Sequence, residues 1–192
     1  MRTQVRIVAG VFRGRKVACT VDPNLRPTPQ MVREALFSIL GDAVPGRPFF
    51  DVFAGTGIIG LEALSRGASS VTFIERDFRL ISAIEHHLHA FGVRGQGKVA
   101  RTDVYRWIEH WQPLAEPVNI FVSPPFADFE HRPEELQELI GRLRKTTAPG
   151  SVVVLQAEPS AFLDSLPGRA DADERRYGRN HLLFWVKEPP TV

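Results

Sequence analysis

The chain holds one cysteine, Cys19, in 192 residues, which excludes a disulfide scaffold and any thiolate metal cluster. It has no run of about 18 apolar residues, so no segment is expected to span a membrane. The opening Met1-Arg2-Thr3-Gln4-Val5-Arg6 lacks the apolar core of a secretory signal, and a cytoplasmic location is the expectation. Repeats and low-complexity stretches are missing too. His86, His87 and His89 fall on one predicted helix, but no further Cys, His or Asp completes a ligand set. A solvated helix face and no metal are expected there. What remains is ordinary for a soluble globular protein, with 43% hydrophobic and 24% charged residues. The length makes one domain whose core needs no staples.

The net charge is only +2, but it is unevenly spread. Residues 1–33 carry seven basic side chains against the single acid Asp22, which leaves the front at +6 and the rest at −4. A basic front end suits an anionic partner such as nucleic acid, and a solvated surface without a partner fits the charge equally well.

Val5 to Gly10 alternates like a strand, and Val11 to Val17 is predicted to fold back on it as a hairpin. Residues 1–27 then form a basic extension and residues 28–192 the main domain. Thr28 is the expected N-cap of a helix with Pro29 at its first position and Met31, Val32, Ala35, Leu36, Ile39 and Leu40 at helical spacing. Beyond Pro45-Gly46-Arg47-Pro48 short apolar runs alternate with helices. Strands are predicted at 49–53, 70–74, 97–100, 118–122 and 151–155, with a final antiparallel pair around 175–177 and 181–186. Helices are predicted at 58–66, 78–91, 104–110 and 133–145. This alternation gives an α/β fold, a mostly parallel sheet covered by helices on both faces. Trp107, Trp111 and Trp185 are expected to pack inside it, although each can stack on a base.

The most informative segment is Asp51-Val-Phe-Ala-Gly55-Thr-Gly57-Ile-Ile-Gly60, a strand that runs through glycines into a helix. Glycines let the backbone approach a ligand, and the helix start offers free N–H groups. Phe53, Ala54, Gly55, Thr56 and Gly57 are therefore assigned to a cofactor pocket, with Thr28 beside them. Glu75, at the end of the next strand, is placed to accept hydrogen bonds from ribose hydroxyls, with Arg76 following it. Asp103 can accept from an adenine amino group beside the Val104 N–H, or cap the helix that starts there, or do both. The glycines also match the G-x-G-x-x-G fingerprint of nicotinamide dinucleotides, which stays a competitor. Asp51 favours S-adenosylmethionine, because a carboxylate there can receive a methionine ammonium and would repel a pyrophosphate.

Ser123-Pro124-Pro125-Phe126 ends the strand at 118–122. Two prolines cannot continue a sheet, so the chain leaves it where ligands bind in such folds. Together with Asp51 to Gly57 this segment resembles the amino-group methyltransferases, whose signature is Asp/Asn-Pro-Pro-aromatic. The front end narrows the resemblance. Arg6-Ile-Val-Ala-Gly10, Arg13-Gly-Arg-Lys16, Leu25-Arg-Pro-Thr28, Val32-Arg-Glu-Ala-Leu-Phe37, Gly60 to Ala68 and Tyr177-Gly178 are similar to the RsmD-like family of bacterial small-subunit rRNA (guanine-N2)-methyltransferases. The resemblance implies a seven-stranded class I methyltransferase (Rossmann-like) fold and S-adenosylmethionine as cofactor. It also implies ribosomal RNA, free or in an assembling small subunit, as partner of a monomer that touches no membrane. Ser123, Pro124, Pro125 and Phe126 would be the catalytic residues, with the Ser123 side chain and the Pro124 carbonyl accepting the target amino hydrogens and Phe126 stacking on the base. Arg6, Arg13, Arg15, Lys16, Arg26 and Arg33 are the expected RNA contacts. One departure stands out: Ser123 occupies the place of the family's Asp or Asn. It can accept a hydrogen bond but is shorter and uncharged. A methyltransferase acting on adenine N6 of RNA or DNA shares the tetrad, and Ser123 keeps a non-catalytic RNA-binding relative as a further reading.

Overall fold

From Pro48 onward, strands too apolar for one wet face need helices on both sides, and the computed structural model, which describes residues 2–20 and 27–189, supplies them. The strands are β1 (Arg2–Arg6), β2 (Lys16–Thr20), β3 (Pro48–Val52), β4 (Ser70–Glu75), β5 (Gly97–Arg101), β6 (Asn119–Val122), β7 (Val152–Ala157), β8 (Asp173–Tyr177) and β9 (Asn180–Val186). The α-helices are α1 (Gln30–Leu40), α2 (Ile58–Ser65), α3 (Phe78–Ala90), α4 (Val104–Glu109), α5 (Phe126–His131), α6 (Pro133–Thr146) and α7 (Ala161–Ser165). The main sheet has seven strands in the order β5-β4-β3-β6-β7-β9-β8, and β1-β2 forms a separate hairpin. The five strands from β5 to β7 run parallel, while β9 is antiparallel to both of its neighbours. The order reverses between β3 and β6, and ligands bind outside the carboxyl ends of strands at such a switch.

Two apolar clusters flank the sheet. Phe49 and Phe50, adjacent in β3, fall into opposite clusters, as the two-residue period of a strand requires. One cluster joins α1, α2 and α3 through Leu36, Leu61 and Ile84; the other joins α4, α6 and α7 through Ile108, Leu139 and Leu163. Helix α6 shows how sequence sets such an element. Pro133 occupies its first turn with Glu134 and Glu135, Arg144 and Lys145 close its last, and Leu136, Leu139, Ile140 and Leu143 make the buried stripe. Helix α2 is different, because all eight of its residues are buried. Glu62 on it is held by Arg33 at 3.4 Å and Arg66 at 3.6 Å.

Several expectations need correction. The hairpin strands are shorter and further apart than the alternation suggests, and residues 7–15 form the connecting loop. Ile7 still pairs across the hairpin with Arg15 and Gly14, but the tip of the loop is held by α2: Ser65 Oγ donates to the Ala9 carbonyl and accepts the Phe12 N–H. Gly10, at φ +81°, lies so close to the Ser65 backbone that a Cβ would collide with it. Thr28 does not cap α1; Pro29 occupies the cap position and the Thr28 hydroxyl donates to Gln156 Oε1 at 3.0 Å. His87 is buried rather than solvated, with Nε2 at 3.2 Å from the Ala18 carbonyl of β2, and burial pushes its pKa down. The three tryptophans pack as expected: the Trp111 and Trp185 N–H groups donate to Thr146 Oγ1 and the Gly168 carbonyl, and Trp107 leans on Phe50 and Trp111. Helix α5, which follows Pro125 directly, has no apolar period long enough to be predicted.

Candidate active site

A cleft of about 1480 Å³ opens at the carboxyl ends of β3, β4 and β6. Strand β3 delivers Asp51 to its floor, only 2% exposed, where Oδ2 accepts the Gly60 N–H at 2.9 Å. Burial pushes the Asp51 carboxyl up to about 7; the nearby Glu75 charge adds to the rise and the Gly60 N–H opposes it. At Phe53 the chain leaves the strand with φ +63°, the one described non-glycine residue in the left-handed region. A bulky residue held there stores backbone strain, and such strain gathers at functional sites. Gly57 continues the turn at φ +72° into α2. Gly60 lies so close to the Phe73 ring that a Cβ would overlap it, so this third glycine serves helix–strand packing.

Glu75 ends β4 against this turn. Its Oε2 accepts the Gly55 N–H at 2.8 Å, and its Oε1 accepts those of Arg76 and Asp77, each at 2.8 Å. Asp103 caps α4 by accepting the Tyr105 N–H at 2.9 Å, while its other oxygen pairs with Arg76 at 2.8 Å. Asp103 and Val104 both line the cleft, as do Thr28, Phe53, Ala54, Gly55, Thr56 and Arg76. The structure thus gathers every assigned pocket residue around one space except Gly57, which lies behind it against Ile84.

The tetrad enters from β6. The Ser123 N–H still bonds the Val52 carbonyl at 3.2 Å, and then Pro124 and Pro125 carry the chain out of the sheet. Ser123, Pro124, Pro125 and Phe126 line the cleft, and Phe126 is 54% exposed in a protein whose other large rings are mostly buried. The Pro124 carbonyl takes no hydrogen bond from a described residue. The Ser123 hydroxyl donates to Gln156 Oε1 at 3.3 Å, and Gln156 Nε2 donates to Asn180 Oδ1 at 2.8 Å. Sequence reasoning missed Gln156 and Asn180. The signal for Gln156 was a polar residue closing Val152-Val153-Val154-Leu155, at the strand end where ligands sit.

The hairpin borders the same cleft through Thr3, Gln4 and Ala18. Arg6, Arg13, Arg15 and Lys16 are exposed, and the Arg15 guanidinium lies over the Phe91 ring at 4.6 Å. Arg33 is not available to RNA. It is 2% exposed and spends its donors on Glu62, the Thr28 carbonyl at 2.7 Å and the Arg6 carbonyl at 3.0 Å. Its place on α1 fastens hairpin, helix and α2 together. Arg26 lies outside the described residues. Among the described residues no three His, Cys, Asp or Glu side chains are grouped to hold a metal, and no helix is long and apolar enough to cross a membrane.

The family described as "Conserved hypothetical protein 95" matches residues 5–186. The chain belongs to that family. Among its relatives, ribosomal RNA small subunit methyltransferase D of Escherichia coli (strain K12) is 34% identical over 167 residues, covering 85% of this chain and 80% of the relative. A Bacillus subtilis (strain 168) protein provisionally named rRNA methyltransferase YlbH is 30% identical over 185 residues, covering 95% and 99%. The solved structure of an Escherichia coli protein provisionally named methyltransferase yhhF superposes on this family member with a TM-score of 0.78. It is 30% identical and covers 97% of this chain and 99% of its own. Fold and family therefore agree with the resemblance carried by the motifs.

Proposed function

We propose that this chain is an S-adenosylmethionine-dependent methyltransferase acting on the exocyclic N2 of a guanine in small-subunit ribosomal RNA. The observation that carries the reading is the meeting of two strand ends: the Glu75-bridged glycine turn and the Ser123-Pro-Pro-Phe126 exit open into one cleft. The names of the relatives supply the substrate class. The donor set suits the cofactor. Asp51 offers a buried carboxylate to an ammonium, where a dinucleotide pyrophosphate would be repelled, and Glu75 offers acceptors to ribose hydroxyls.

Bound S-adenosylmethionine supplies a methyl group on a positively charged sulfur. The chain's own residues must present the nitrogen. A guanine amino lone pair is delocalised into the ring, and acceptors on both N–H bonds draw it back toward the nitrogen. The Ser123 oxygen and the Pro124 carbonyl accept those hydrogens, and Phe126 stacks on the base to fix its plane. Positioning and electrostatics then lower the barrier. The base enters unpaired or flipped, since the amino group of a stacked pair cannot reach the cleft. The exposed cations of the β1–β2 loop hold phosphates at the rim. The expected form is a monomer, and a ribosomal RNA substrate fits work in the cytoplasm.

Two measurements test this together. Calorimetry must show S-adenosylmethionine binding more tightly than NAD or NADP, and labelled methyl groups must pass from it to small ribosomal subunits. Tighter binding of NAD overturns the cofactor assignment, and binding without transfer overturns the enzyme.

A further inference from the structure

A serine in the tetrad raises a problem that Asp does not. A carboxylate can only accept, whereas a hydroxyl carries a proton that, aimed at the base, would oppose the amino hydrogen. The strand register answers it. Val122 of β6 pairs with Leu155 of β7, so the next residues along each strand, Ser123 and Gln156, lie side by side as the sheet opens into the cleft. Gln156 Oε1 accepts the Ser123 hydroxyl at 3.3 Å and the Thr28 hydroxyl at 3.0 Å. The first distance is long for an O–H···O bond, as such contacts often are before substrate tightens them. The amide cannot turn freely, because Nε2 is committed to Asn180 Oδ1 at 2.8 Å, and Asn180 opens β9 directly across the turn from Tyr177.

We propose that Gln156 is a positioning residue that draws the Ser123 proton to its own oxygen and leaves the serine lone pairs facing the guanine amino group. The role rests on the methyltransferase reading above and extends it. Gln156 supplies from β7 what the tetrad lost when Ser replaced Asp or Asn. Thr28 shares the same oxygen and Asn180 fixes its direction, so the loop before α1 and the β8–β9 turn both act on the acceptor through one side chain.

The test is single-turnover methyl transfer to small ribosomal subunits at saturating S-adenosylmethionine. Gln156→Ala is expected to slow transfer by about ten- to a hundredfold, the scale of one lost hydrogen bond at an acceptor. Cofactor affinity should stay within about twofold, because Gln156 touches the base side of the cleft. Gln156→Glu keeps the acceptor for the Ser123 proton, with the Asn180 amide turned to donate to its other oxygen, and should restore most of the lost rate. In a Ser123→Ala background, Gln156→Ala should slow transfer no further, since no proton is left to direct. Full additivity of the two alanine changes, or a Glu variant as slow as the Ala variant, overturns the role. So does a parental rate in folded Gln156→Ala, and each of these results leaves the methyltransferase reading standing. A parent chain inactive on small subunits overturns that reading and this role together.

Discussion

The Glu75 carboxylate accepts the Gly55 N–H at 2.8 Å, which locks the end of β4 to the turn that follows β3. Two further N–H groups, of Arg76 and Asp77, converge on its other oxygen. The acid is therefore held in one orientation, with one lone pair of Oε2 still open to accept. On the proposed reading, replacing it removes a cofactor acceptor and loosens the turn at once. Glu75→Ala is expected to weaken S-adenosylmethionine binding by roughly 1–3 kcal/mol. An unchanged dissociation constant in the folded variant, measured by calorimetry, would remove Glu75 from the pocket.

If Asp51 receives the cofactor ammonium as proposed, binding should depend on pH. Its carboxyl is raised to about 7 by burial, and an ammonium is received only by the ionised form. As pH falls through that value the free chain takes up a proton that binding must expel. Affinity should then drop by up to about tenfold per pH unit. Asp51→Asn should flatten this dependence and bind more weakly than the parent at about pH 8. Stability runs the opposite way: a carboxyl whose pKa is higher folded than unfolded is best tolerated when protonated. The parent should lose stability as pH rises from about 4 toward 7, and Asp51→Asn should lose less. Titrations and melts of both chains at several pH values check the signs.

The Arg33–Glu62 pair concerns stability rather than RNA. Both side chains are almost fully buried, and Glu62 also accepts the Val8 N–H at 2.8 Å. Arg33→Met leaves that carboxylate short of its nearest balancing charge and frees the Thr28 and Arg6 carbonyls. The expected cost is about 3–5 kcal/mol in denaturant unfolding. A loss under about 1 kcal/mol would make the pair behave like a surface bridge.

Much of this was legible in the sequence because the relevant signals are local. Asp51 to Gly60 declares strand, turn and helix in one segment, and the two prolines after Ser123 mark a strand exit without ambiguity. Arg33 was misread because charge was counted before burial. Nothing near it in sequence shows that Glu62, on another helix, waits for it inside the core. His87 failed for the same reason, its partner being the Ala18 carbonyl of the hairpin. The alternation from Val5 to Gly10 sets the hairpin strands too far along, because nothing nearby shows that Glu62 and Ser65 of α2 take the Val8 and Phe12 N–H groups at the tip. Gln156 needed the register of β6 against β7, which no single-strand pattern contains.

Neutralising Arg13, Arg15 and Lys16 together should weaken RNA binding and flatten its salt dependence, each lost phosphate contact reducing the log–log slope by roughly 0.7–0.9. Cofactor affinity should hold, because none of the three lines the cleft. An unchanged slope would mean that these cations are only solvated surface.

The proposed reaction is defined by one atom of one base. The protein is incubated with methyl-labelled S-adenosylmethionine and undermethylated small ribosomal subunits, and the RNA is digested to nucleosides and separated. The guanine-N2 assignment requires label in N2-methylguanosine, at one position of the small-subunit RNA. Label in N6-methyladenosine, or none at all from a folded chain that binds the cofactor, would contradict it.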